Sequence, residues 1–175
     1  MTEQATQRRP QVVVGVDGSP AAREAVKFAV RDAVLRGAEL VAVMSVEAPE
    51  HRWIDPYAVR EHPAAGYLEQ AEDTLRRILA EVGTTGVPVH TVVSTEFAPA
   101  ELILRSAGAE LLVVGSRGRG GFRGMVMGSV SLQCVLHAHC PVTVVRPEHR
   151  AEEAAALPAR HTLEDTRRQT TPTFL

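Results

Sequence analysis

The chain has 175 residues, 45% of them hydrophobic, and a formal charge of −2. That is enough chain for one domain with a real core. The charge and hydrophobic content exclude a disordered acidic chain and argue against a basic nucleic-acid binder. No apolar run approaches the roughly 20 residues of a membrane helix. The polar start MTEQATQRRP lacks the apolar region of a signal peptide. A cytoplasmic protein without a membrane or nucleic-acid role is the reading that follows. Two cysteines, Cys134 and Cys140, fit a reducing compartment better than a disulfide framework.

In chain order, residues 1–10 read as a flexible leader. Val12-Val13-Val14-Gly15-Val16 is a continuous apolar run, the pattern of a strand buried on both faces of a parallel sheet. Ser19 then suits a helix N-cap and Pro20 the first helical position. Ala22, Ala25, Val26, Ala29, Val30 and Ala33 fall at helical spacing, and Gly37 ends the run. Residues 40–46 predict a second strand. Residues 47–65 carry Pro49, Pro56 and Pro63 with Trp53 and Tyr57, and read as a long loop of the kind that is often functional. A second helix is predicted from Gly66 to Gly83.

The polar residues His90 and Thr91 predict that a third strand, 87–93, lies near a sheet edge. A short helix follows over 99–107, with Glu101 in its first turn, where the helix dipole favours an acid. Leu111-Leu112-Val113-Val114 is a fourth strand, residues 129–138 a fourth helix and 142–145 a fifth strand. Residues 11–147 thus make one domain, and 148–175, without a sustained apolar face, read as a disordered tail. Alternating strands and helices predict an α/β three-layer sandwich around a five-stranded parallel sheet. Such sheets bind ligands at strand carboxyl ends, where the strand order reverses.

Between strand four and the last helix lie Gly115, Gly118, Gly120, Gly121, Gly124 and Gly128, close to half of the chain's 13 glycines, with Arg117, Arg119 and Arg123. A glycine-rich loop between a strand and a helix N-terminus is a common way to hold phosphate, because glycine permits positive φ and close ligand approach. The loop has no lysine, Lys27 being the only one in the chain, so a P-loop is excluded. The dinucleotide fingerprint GxGxxG begins at Gly118 but meets Arg123 at its last position. What fits is G-x2-G-x9-G-[ST], on Gly115, Gly118, Gly128 and Ser129. His137, His139 and Cys140 raise a metal reading, but the spacing is short and no fourth ligand is evident, which favours structural packing.

This pattern, with the Gly15–Ser19 turn and the closing HAHCPVTVVR, resembles the ATP-binding branch of the universal stress protein family over residues 10–147. The resemblance implies strand order 3-2-1-4-5, as in adenine nucleotide alpha hydrolase-like folds. It implies Asp17 on the ribose hydroxyls, Gly15, Val16 and the Val46 backbone beside adenine, and Gly115 near the ribose. Gly118, Gly128 and Ser129 would hold the phosphates, with Ser116, Arg117, Arg119 and Val130 beside them. ATP with Mg2+ is the implied cofactor, and a homodimer through Val142–Val145 the implied assembly. The function implied is that of a nucleotide-dependent regulator in the stress response, acting on unnamed protein partners. The rival readings are a weak ATPase or autokinase using Ser116, Ser129 or Ser131, and a nucleotide-free interaction protein of the same fold.

Overall fold

Strands that are apolar at every position need cover on both faces, and the chain supplies it with two pairs of helices. The computed structural model describes residues 9–46, 64–118 and 127–147. In order, the elements are β1 (Gln11–Gly15), α1 (Pro20–Arg36), β2 (Glu39–Ser45), α2 (Ala64–Val82), β3 (Val89–Ser94), α3 (Ala98–Ser106), β4 (Leu111–Gly115), α4 (Ser129–His137) and β5 (Val142–Val145). The strands form one sheet in the order β3-β2-β1-β4-β5, and every pairing is parallel. The expected fold class and order are therefore both observed. The leader up to residue 8, most of the long loop (47–63) and the tail 148–175 lie outside the described residues.

Alternate strand residues serve opposite faces. Val12, Val14, Leu40, Ala42, Leu111 and Val113 pack with α1 and α2, whereas Val13, Val41, Val43, Leu112 and Val114 pack with Leu102 of α3 and Cys134 of α4. The sheet-facing side of α1 is mostly alanine, with Ala25, Ala29 and Ala33 fully buried. Small side chains there let the helix backbone lie close to the sheet. Burial pushes the Cys134 thiol up to about 11, so it stays protonated and packs as a small hydrophobe. Glu101 is buried in the first turn of α3, and its Oε1 accepts from Arg105 Nε at 2.8 Å.

The ends of α1 follow the expected chemistry. Ser19 caps it by accepting from the Ala22 amide at 3.1 Å. Gly37 closes it at φ +62°, its amide reaching back to Ala33 and Val34. Strand β3 begins two residues later than the periodicity suggests. The Val87 amide closes a turn onto the Thr84 carbonyl and Pro88 has no amide to give, so regular pairing starts at Val89. His90 and Thr91 are exposed on this edge strand, as expected.

Candidate functional site

β1 and β4 are direct neighbours, paired from Val12↔Leu111 to Val14↔Val113, so the segments that leave their carboxyl ends meet. The first segment is a tight turn. The Ser19 amide donates to Asp17 Oδ1 at 2.9 Å, and Gly18 between them sits at φ +82°, a conformation that suits glycine. The Arg23 guanidinium donates to the Gly18 carbonyl at 2.8 Å. Ser19 Oγ then crosses the site and donates to the Arg117 carbonyl at 3.3 Å. The two halves of the site are thus tied together over a separation of 98 residues.

The second segment is pinned at its base. Ser116 is buried; its amide donates to the Val145 carbonyl at 2.7 Å and its own carbonyl accepts from the Gly128 amide at 2.8 Å. Ser131 Oγ also donates to that carbonyl, at 3.3 Å. The chain leaving at Arg117 therefore returns at Gly128 to begin α4. Gly128 occupies the N-cap position of α4 and has no side chain to offer, so the first-turn amides of α4 carry no side-chain cap. By contrast, α1 begins beside it with a side-chain cap, Ser19 on the Ala22 amide. Uncapped amides at a helix start favour an anion.

Between these segments lies a cleft of about 440 Å3, within the size range of small-molecule sites. Of the expected residues, Gly15, Val16, Asp17, Gly115, Arg117, Gly118, Gly128, Ser129 and Val130 line it. Ser116 lies beneath the wall, as its burial shows. Val46 sits past the end of β2, its amide donating to the Ser94 carbonyl at 2.9 Å; Val43 and Ser45 form the wall on that strand instead. Arg119 and Arg123 lie outside the described residues.

The sequence reading missed Ser45, Ala98 and Leu102, which also line the cleft. Ser45 is two residues from Val43 at a strand end, so period-two alternation was a usable signal for it. Ala98 and Leu102 arrive from α3 across the sheet, and no local pattern announces that approach. Among the described residues, no group of three or more His, Cys, Asp or Glu side chains is placed to hold a metal ion.

Gly15 and the three spaced glycines are glycine for different reasons. None of them has a positive φ, so close approach, not left-handed backbone, explains them. A Cβ on Gly15 would lie 3.0 Å from Leu102 Cδ1. One on Gly115 would lie 2.9 Å from the Ala21 carbonyl carbon and 3.0 Å from the Ala22 nitrogen, so that glycine makes room for the start of α1. One on Gly118 would lie 2.5 Å from Asp17 Oδ2. Among the described residues, a Cβ at Gly128 meets no atom closer than 3.5 Å. Neither packing nor backbone conformation requires glycine there, and the space it leaves opens on the cleft.

The family model described as the universal stress protein family matches residues 9–146. The chain belongs to the universal stress protein family. A universal stress protein of Mycolicibacterium smegmatis is 40% identical over 146 residues, which cover 79% of this chain and 46% of that one. A universal stress protein of Mycobacterium tuberculosis is 42% identical over 141 residues, covering 77% and 45%. The chain thus spans a little under half the length of these relatives. Among solved structures, the universal stress protein UspA from Lactobacillus plantarum superposes with a TM-score of 0.66 at 26% identity, over 81% of this chain and 100% of that one. A universal stress protein solved in complex with cAMP shares the fold at 24% identity, with a TM-score of 0.53 over 81% of this chain and 100% of that one. Among the described residues, no helix of this universal stress protein is long and apolar enough to cross a membrane.

Proposed function

We propose that this chain binds ATP in the cleft and acts, as a cytoplasmic homodimer, as a nucleotide-dependent regulator in the stress response. The observation that carries the reading is the start of α4, whose amides are left without a side-chain cap beside a glycine that no atom of the described residues requires. Phosphates would take the amides of Gly118, Ser129 and Val130 and the Ser129 hydroxyl, with Arg117 adding a charge-assisted contact and Gly128, its own amide held by the Ser116 carbonyl, leaving room for them. Asp17 would accept from the ribose hydroxyls, since a carboxylate is an acceptor of two oxygens and a poor neighbour for phosphate. The base would lie over Gly15 and Val16 toward β2. Magnesium would arrive on the phosphates, largely kept by their oxygens and by water, with Asp17 the one carboxylate lining the cleft among the described residues.

The cleft holds a phosphate cradle without an evident general base or activated nucleophile, so hydrolysis should be slow or absent. Of the hydroxyls an autokinase would use, Ser116 and Ser131 are buried and only Ser129 is exposed. Phosphoprotein mass spectrometry after incubation with ATP tests that rival at one position. The main test is to denature purified protein, look for released adenine nucleotide, and titrate ATP into wild type and Gly128→Ala. The variant should lose less than about 1 kcal/mol of stability, the cost of alanine at an N-cap, yet bind ATP at least about tenfold more weakly. Equal affinity would remove the loop and α4 from the site, and a wild type that binds no nucleotide would overturn the reading.

Strand parity selects the variant that tests a β5 dimer. The carbonyls of Pro141 and Val145 accept from Leu112 and Ser116 on the β4 side, at 3.0 and 2.7 Å. Successive residues of a strand direct their amides and carbonyls to opposite sides, so Val142 and Val144 direct theirs to the open edge of β5. Val144→Pro would remove an edge donor while sparing the bonds to β4, since proline is tolerated at a strand edge. Sedimentation should show monomers for this variant. A dimer that persists would disprove a β5 interface.

A further inference from the structure

The cleft has chemically distinct ends. At one end lie Arg117, Gly118 and the start of α4, whose first-turn amides carry no side-chain cap. At the other, Val43 and Ser45 of β2 face Ala98 and Leu102 of α3. Three adjacent strands, β2, β1 and β4, separate the ends by roughly 10 Å at ordinary strand spacing, comparable to the reach of a nucleotide from base to phosphate. The β2 end is apolar save for one group. The Ser45 hydroxyl oxygen is buried and, among the described residues, the one buried side-chain N or O atom without a hydrogen-bond partner.

A buried hydroxyl left unpaired costs free energy, and most such groups are paired in native structures. Its neighbours do not relieve it: Ser94, its register partner on β3, accepts instead from the Glu96 amide at 3.0 Å. The next backbone donor along β2, the Val46 amide, is engaged by the Ser94 carbonyl and is not available to a ligand. A heteroaromatic base entering this apolar end therefore lacks a backbone donor from Val46 for its ring nitrogens. A serine hydroxyl can donate, and rotation about its single χ1 bond re-aims it.

We infer that Ser45 is a base-reading residue, its hydroxyl donating to a ring nitrogen of the bound purine. The inference rests on the ATP reading above and adds to it the side chain that recognises the base. It makes the unpaired hydroxyl a group that is satisfied only when ligand is bound.

The experiment is a calorimetric titration of wild type and Ser45→Ala with ATP and with 1-deaza-, 3-deaza- and 7-deaza-ATP, alongside melting of both proteins without ligand. Loss of one neutral hydrogen bond should weaken ATP binding to Ser45→Ala about five- to tenfold. One of the deaza analogues should lose a similar factor on wild type and nothing further on Ser45→Ala, as expected of a coupled pair. Without ligand, Ser45→Ala should melt at or above the wild-type temperature, because it removes an unpaired buried hydroxyl. A lower melting temperature would make the hydroxyl structural and overturn the inference. Unchanged ATP affinity in Ser45→Ala, or a deaza penalty equal in both proteins, would overturn the inference alone. A wild type that binds no ATP would overturn the parent reading with it.

Discussion

Gly115→Val should be the most destabilising change in the loop, and Gly115→Ala should already cost about 1–3 kcal/mol, the range for overpacking a filled interior. A Cβ at this position falls 2.9 Å from the Ala21 carbonyl carbon and 3.0 Å from the Ala22 nitrogen. These are backbone atoms of the first turn of α1, which cannot step aside as the tip of a side chain can. Ala21 and Ala22 are themselves buried, and the turn that leads into them is held by the Ser19 cap and by the bond from Ser19 Oγ to the Arg117 carbonyl. Pushing α1 away would therefore strain both halves of the site together. Valine adds two methyl groups to the same clash. Urea unfolding without nucleotide should show a midpoint shift in Gly115→Ala and a larger one in Gly115→Val. A wild-type midpoint in both would mean that Gly115 serves the ligand and not the fold.

That glycine shows where a reading of the sequence stops. The apolar runs of β1 and β4, the Ser-Pro start of α1 and the Gly37 stop are local patterns with local physical causes, and each appears where the residues predict it. The spacing of Gly115, Gly118, Gly128 and Ser129 likewise identifies the loop. Spacing cannot say what each glycine makes room for. At Gly115 it is the backbone of α1 and at Gly118 the Asp17 carboxylate, whereas at Gly128 the described residues come no closer than ordinary contact, 3.5 Å. Those distinctions depend on how α1 crosses the sheet. Ala98 and Leu102 escape the sequence for the same reason, since they reach the cleft only because α3 packs over the carboxyl ends of the strands. Strand β3 shows the smaller kind of miss, where a turn bond at Val87 competes with the ladder for an amide that periodicity assigns to a strand.

Gly118→Val should have the largest effect on ATP binding with little effect on folding. Gly118 is exposed, and among the described residues the atoms near its missing Cβ belong to a single group, Asp17 Oδ2 at 2.5 Å and Asp17 Cγ at 3.6 Å. A side chain at 118 must turn that carboxylate aside. The fold can absorb this, because the displaced atom is the end of a side chain at the cleft and not part of the core. The site cannot, if Asp17 is the ribose acceptor: losing hydrogen bonds to a charged group is worth about 1.5–3 kcal/mol, roughly ten- to a hundredfold in affinity. Two causes of such a loss can be separated by a double-mutant cycle with Asp17→Ala. If valine acts by displacing Asp17, the double variant should bind ATP about as weakly as the weaker single variant. If valine instead blocks the path of the phosphates, the two losses should add. Near wild-type affinity in Gly118→Val would sink the pairing of these two residues around a nucleotide. Additive losses would keep both in the site, with Gly118 acting on the phosphates independently of Asp17.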